Sequence, residues 1–229
     1  KILRELAVNH TQADKKLQFS KQLIVVAEEL DSPNFVFAGY LEKGNALRLK
    51  SELSGALESY FEASRIAEES GKLERLGTVN IAIADVYSIM GNHANAMKYH
   101  RAAIQILRQE RDSINLASAL LNAGDAYITV ENLDSALAYT TEAEVIFKKL
   151  NHQLGQAYGL GNMGMIYAKL GINIQAEINM NQAIRILEGL DEYYPIAVYL
   201  AYISDIYLQK DNPTAALGYA NRSLDLARR

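Results

Sequence analysis

The chain has 229 residues, a hydrophobic content of 49%, no cysteine and a formal net charge of −4. That apolar content supports a packed core rather than disorder, and the absence of cysteine excludes disulfides, thiolate metal sites and a cysteine nucleophile. With 23 Lys and Arg against 27 Asp and Glu there is no basic footprint for nucleic acid, and no stretch approaches the ~18 apolar residues of a membrane span.

The sequence starts at Lys1 and closes on Ala-Arg-Arg with a helical pattern still running, so it is expected to be part of a longer polypeptide. Residues 1–32 read as a degraded copy of the repeats beyond residue 33. Ala27-Glu28-Glu29 aligns with Ala67-Glu68-Glu69 and Leu17 with Leu57, but Lys16 stands where the later copies carry alanine. This is either a capping repeat or a truncated one.

From residue 33 the pattern is regular at a pitch of forty. Ala56, Ala96, Ala136, Ala176 and Ala216 form one column, and Ala63, Ala103, Ala143, Ala183 and Ser223 a second. A third small column is Gly44, Ala84, Gly124, Gly164 and Ser204, with Leu47, Tyr87, Tyr127, Tyr167 and Tyr207 three residues on. Ile66, Ile106, Ile146, Ile186 and Leu226 complete the set. Small side chains at fixed places let helix backbones approach, and the Tyr and Ile columns fill the space between neighbours.

Apolar residues recur at three, four and seven, as in Leu120, Ala123, Gly124 and Tyr127, which is the helical period. The helices are predicted in pairs at 33–50 with 53–69, 72–90 with 93–109, 112–130 with 133–149, 152–170 with 173–189, and 193–210 with 213–228. Turn signals separate the members of a pair at Gly91-Asn92, Glu131-Asn132, Gly171-Ile172-Asn173 and Asp211-Asn212-Pro213. Pro195 and Pro213 sit where helices begin, a position that tolerates the missing N–H. The expected architecture is all-α, a right-handed superhelical solenoid of antiparallel helix pairs with about five and a half repeats. Its expected organisation is a degenerate segment at 1–32 and repeats at 33–71, 72–111, 112–151, 152–191 and 192–229, in one continuous solenoid.

The columns resemble the tetratricopeptide repeat. The match is carried by Gly124-Asp125-Ala126-Tyr127 with Ala136-Leu137-Ala138-Tyr139 and Ala143 after it, and by Gly164 to Tyr167 with Ala176 and Ala183. The resemblance covers 33–229 and departs from the family in two ways. The usual period is about 34, and the proline that usually closes the second helix is replaced by Glu68, Arg108, Lys148, Glu188 and Arg228. It is similar in this to the forty-residue variety found in bacterial signalling proteins and some eukaryotic scaffolds.

One motif points elsewhere. Gly159, Gly161 and Gly164 spell G-x-G-x-x-G, the spacing of a dinucleotide-binding loop. That chemistry needs a strand before the first glycine and a helix opening at the loop, whereas these glycines fall inside the first helix of a repeat. Gly164 belongs to its small column. Gly159 and Gly161 either allow close helix approach or mark a soft point.

No catalytic constellation is present. His10, His93, His100 and His152 are read as surface or turn histidines rather than metal ligands, and Glu28-Glu29 and Glu68-Glu69 as solvated faces. No G-x-S-x-G, P-loop or H-E-x-x-H sequence occurs. No enzyme, cofactor or metal is expected in this stretch.

Binding is the expected function. First helices of such a solenoid line its concave side. One row there reads Asn45, Asp85, Asp125, Met165, Asp205, and the row three residues earlier Glu42, Ala82, Asn122, Asn162, Tyr202. Residues three apart on a helix are neighbours, so these rows either face solvent or form a partner-binding groove of Asn45, Asp85, Asn122, Asp125, Asn162, Tyr202 and Asp205. The resemblance implies that Asn45, Asn122 and Asn162 hold a partner's backbone, and the aspartates favour a protein or peptide with Lys, Arg or a free amine. The chaperone-binding subclass, which grips an acidic C-terminus, is excluded by aspartate at 85, 125 and 205. Tyr193, Tyr194, Tyr199 and Tyr202 lie within ten residues, and because tyrosine is enriched at interfaces the first three are candidates for self-association as a homodimer. The resemblance implies the regulatory region of a bacterial signalling protein, such as an adenylate or guanylate cyclase or a sensor kinase. The alternatives are a homo-oligomerisation scaffold and a free-standing adaptor or quorum-peptide sensor.

Overall fold

The computed structural model describes residues 1–110 and 113–228, and these form twelve α-helices without a strand. A short α1 (Ile2–Asn9) precedes α2 (Ala13–Glu29). Then come α3 (Pro33–Leu49), α4 (Leu53–Glu69), α5 (Leu73–Ile89), α6 (His93–Glu110), α7 (Ser113–Thr129) and α8 (Leu133–Lys149). The remainder are α9 (Gln153–Lys169), α10 (Asn173–Glu188), α11 (Tyr193–Gln209) and α12 (Pro213–Ala227). First helices start at 33, 73, 113, 153 and 193, and second helices at 53, 93, 133, 173 and 213, so the pitch of forty holds to the residue. α2 starts at 13, in register with the second helices, and α1 is a first helix of 8 residues. The repeat boundary expected at 111/112 lies outside the described residues, as does Arg229.

The turns explain the constant pitch. Asp31, Ser51, Gly71, Gly91, Glu131, Asn151, Gly171, Asp191 and Asp211 all have φ between 47° and 74°, one every twenty residues along the described chain. At each, the next residue's N–H reaches back five places, as Ser32 to the Ala27 carbonyl and Asn132 to the Tyr127 carbonyl, at 2.9 and 3.0 Å. This is the Schellman arrangement that satisfies the last carbonyls of a helix. The same device closes both kinds of turn, within a pair and between pairs. Asn92, Asn132 and Asn212 then cap the next helix, each side chain accepting from the backbone N–H three residues on.

The chain divides into two compact units, Lys1–Asp112 and Ser113–Arg229. In the first, each helix packs on its chain neighbours from α1 to α6, and first helices also meet across pairs, α1 with α3 and α3 with α5. The second unit repeats this from α7 to α12, with α7 against α9 and α9 against α11. Among the described residues, second helices do not approach one another at the backbone in either unit. Within each unit the first helices therefore form the tighter, inner layer.

The columns do the packing expected of them. Ala56, Ala96, Ala136, Ala176, Ala63, Ala103, Ala143 and Ala183 are all fully buried. A methyl placed on Gly164 would stand 2.5 Å from Met180 Cγ, so only glycine lets α9 and α10 close up there. Around these contacts Tyr60, Val79 and Ile83 fill the core of the first unit, and Ile166, Met180, Leu200 and Ile203 that of the second. The Tyr column stacks within pairs: Tyr87 on Tyr99, Tyr127 on Tyr139 and Tyr207 on Tyr219, with ring centres 5.2 to 5.7 Å apart.

Candidate functional site

The residues expected to form a groove all lie on first helices, but the two units treat them differently. In the first unit Asn45 is already engaged. Tyr60 donates its hydroxyl to Asn45 Oδ1 at 2.7 Å, and Asn45 Nδ2 donates to Glu42 Oε2 at 3.2 Å. Glu42 in turn holds Lys16 Nζ at 2.7 Å, and the ammonium also donates to the Val8 carbonyl at 2.9 Å. Lys16 and Glu42 are both buried, a pairing that satisfies two charges which would be prohibitively costly alone. Burial, with Asp85 and Glu42 nearby, pushes the Tyr60 hydroxyl up to about 12 despite the opposing pull of Arg48. Asp85 is half-buried and engaged within the protein. This inner surface is thus a closed internal network, and Asn45 has only one amide hydrogen left to offer a partner.

The second unit is more open. Asn122 and Asp125 lie on α7, Asn162 and Met165 on α9, Tyr202 and Asp205 on α11. Asp125 and Asp205 are exposed, Tyr202 is half-buried, Asn122 is half-buried and engaged within the protein, and Asn162 and Met165 are buried. Solvent reaches the Asp125 carboxylate, yet protein crowds it from several sides, and this desolvation raises its pKa. Tyr158, one turn before Asn162, is half-buried and carries no signal in the sequence; its hydroxyl is raised by burial and by the nearby Glu192. Burial also raises the Tyr199 hydroxyl, with smaller contributions from Tyr158 and Asp125, which places the three groups within electrostatic reach.

Two expectations are corrected. Tyr199 is not on the surface: it is 2% exposed, and its ring occupies the space above Gly161, where an added Cβ would lie 1.9 Å from Tyr199 Cζ. It cannot serve self-association. Tyr194 does remain 78% exposed, and Tyr193 donates its hydroxyl to Asp191 at 2.8 Å. His100 is likewise not a surface histidine but 1% exposed, with Nδ1 lacking a partner among the described residues; its column companions Tyr60, Thr140 and Met180 pack against Gly44, Gly124 and Gly164 on the first helix of their own pair. Gly159, Gly161 and Gly164 all lie inside α9, with no phosphate loop. Among the described residues no cluster of three His, Asp or Glu could hold a metal, and no helix is long and apolar enough to cross a membrane.

A family model for the tetratricopeptide repeat matches residues 75–149. These are tetratricopeptide repeats. The helical architecture is accordingly that of a protein-interaction module, and the same pitch runs through the helix pairs on either side of the matched stretch. In sequence the chain is similar to Regulatory protein RapG of Bacillus subtilis strain 168, 24% identical over 72% of this chain and 43% of RapG. It is also similar to Response regulator aspartate phosphatase E of the same organism, 31% identical over 46% of this chain and 28% of that protein. The chain spans less than half the length of these curated relatives. In structure it is similar to a Rap protein complexed with competence and sporulation factor, with a TM-score of 0.74 and 17% identity over 92% of this chain and 58% of that one. At that identity the likeness is one of tetratricopeptide fold.

Proposed function

We propose that the first-helix layer of the second unit binds a protein or peptide segment bearing Lys, Arg or a free amine, and that the chain is the sensing part of a regulatory protein. The observation that carries this reading is the state of Asp125 and Asp205. Both carboxylates are exposed on an inner layer otherwise made mostly of amides, tyrosines and apolar side chains, and desolvation raises the pKa of Asp125, which disfavours its charged form. An incoming cation relieves that cost, so the site favours a basic ligand beyond simple surface attraction. Tyr202 lies one turn from Asp205 and adds a hydroxyl suited to a peptide backbone, while Asn122, already engaged within the protein, is assigned a supporting role. The relatives named as a regulatory protein and a response regulator phosphatase support a regulatory protein over a cyclase or kinase parent. Asn45 and Asp85 are assigned a supporting role, because the first unit already uses their side chains.

Calorimetric titration with basic, neutral and acidic hexapeptide pools tests the assignment. Saturable binding is expected for the basic pool, and the double variant D125K/D205K is expected to lose it by about tenfold or more, as removal of charge-assisted hydrogen bonds does. Equal binding of all three pools, or an unaffected double variant, contradicts the reading. Self-association is assigned to Tyr194, the exposed member of its cluster; a strictly monomeric chain in light scattering at high concentration removes that second reading.

A further inference from the structure

The outer layer of the second unit carries a feature that neither the fold nor the inner layer uses. Ile172, Ile174 and Ile178, at and just beyond the start of α10, are 48%, 73% and 45% exposed. The repeat supplies its own control. At the place of Ile172 the other full copies have Glu52, Asn92, Asn132 and Asn212; at Ile174, Ser54, Ala94, Asp134 and Thr214; at Ile178, Glu58, Lys98, Ala138 and Gly218. Three polar or small columns turn β-branched and apolar in this one copy. The change at 172 also removes a side-chain cap, because the Ile172 side chain has no oxygen to accept the backbone N–H that the Asn92, Asn132 and Asn212 side chains accept. Folding alone therefore favours a polar residue here, and exposed isoleucines at these positions point to a docking role.

The surroundings define the occupant. Ile174, Glu177, Ile178, Asn181, Gln182 and Arg185 of α10, with Lys210 just past α11, line an open cavity of about 550 Å3. Glu177 pairs with Lys210, and Glu188 with Arg222 of α12. Arg185 is exposed and makes no ion pair with any described residue. The face thus offers two isoleucines one turn apart and, about 10 Å further along the helix, one uncompensated guanidinium. A second copy of the chain does not complement it. Turned antiparallel on α10 it would set Arg185 over Ile174, and both α10 glutamates are already paired. A stripe of one helix also falls well short of the ~800 Å2 per partner of a stable dimer.

We propose that the outer face of α10, through Ile174, Ile178 and Arg185, docks an acidic amphipathic helix of a partner protein. Such a helix lays an apolar pair on the isoleucines and sets a carboxylate against the guanidinium, the helix-in-groove mode with one charge to fix direction. This surface lies on second helices and does not depend on the reading of the inner layer.

The test uses the 229-residue chain and a labelled helical peptide with two leucines four apart and two glutamates two turns further on. Its counterpart carries lysines in place of the glutamates. Fluorescence anisotropy is expected to show saturable binding of the acidic peptide, with the lysine peptide weaker by about tenfold or more. The triple variant I172N/I174D/I178K, which restores residue types found in the other repeats, is expected to lose the acidic peptide while its melting temperature holds or rises. R185Q is expected to erase the preference between the two peptides. D125K/D205K, on the inner layer, is expected to bind the acidic peptide as the wild type does. Failure of the acidic peptide to bind, equal binding of both peptides, or undiminished binding by the triple variant overturns the proposal. So does sedimentation showing a wild-type dimer that the triple variant abolishes, which would make a second copy the occupant.

Discussion

Replacing Gly161 with alanine is expected to lower stability by about 1–3 kcal/mol, the range of overpacked cores, while the same change at Gly159 raises it by up to about 1 kcal/mol. The two glycines are two residues apart in α9 and indistinguishable by motif. At Gly161 the added methyl would stand 1.9 Å from Tyr199 Cζ and 2.1 Å from its hydroxyl oxygen, with the ring already enclosed. Either the ring leaves its place or α9 and α11 separate. At Gly159 the nearest atom is Glu144 Cβ at 3.5 Å, an ordinary contact, so the methyl fits and the helix gains alanine's propensity. In the first unit Leu41 and Val79 occupy these two registers, so the double change G161A/Y199V is expected to recover part of the loss. Thermal denaturation of the four proteins decides it. Equal behaviour of the two glycine variants contradicts this packing.

The second large effect is one of pH. His100 is enclosed on α6 with Nδ1 unpartnered, and burial lowers its pKa from 6.5 to about 4. Above pH 6.5 the imidazole is neutral in both folded and unfolded chains, and stability is full. As pH falls from 6.5 towards 4, the unfolded chain takes up a proton that the folded chain refuses, so stability declines; below the folded value both are protonated and the loss is complete. The gap corresponds to about 3 kcal/mol. His100→Met, the residue type that Met180 provides at the same register, removes the titration. Urea unfolding across pH 7 to pH 4 is expected to show the wild type losing about 3 kcal/mol more than the variant. Parallel curves would mean that His100 takes its proton without cost in the folded state.

Whether a feature can be read from the sequence depends on whether a residue's surroundings repeat. The alanine and glycine columns announce the helix pairs because every copy meets the same steric limit at the same crossing. Tyr199 misleads for the converse reason: its column, with Gly39, Val79, Ala119 and Gly159, is small elsewhere, and its ring fits only because Gly161 on another helix gives way. A compensation between two columns leaves no mark in either one. Lys16 and Glu42 each stand out, one in an alanine column and one in the inner row, but nothing in one sequence says that they meet. His100 shares its column with Tyr60, Thr140 and Met180, whose mixed chemistry gives no sign of burial. The left-handed turn residues between pairs are hidden, because Asp31, Asn151 and Asp191 adopt there the φ that Gly71 signals more openly. On the inner layer, the polar rows are visible as rows. The closed state of Asn45 and the open state of Asp125 and Asp205 are not, since they depend on which neighbouring helix supplies a partner.

If the first helices of the second unit form the surface that holds a basic peptide, amide chemical-shift mapping of the full chain during titration with a peptide from the basic pool is the decisive measurement. Perturbations are expected to concentrate on α7, α9 and α11 around Asp125, Asn162 and Asp205. Perturbations confined to the second helices, with those residues unmoved at saturation, would contradict it.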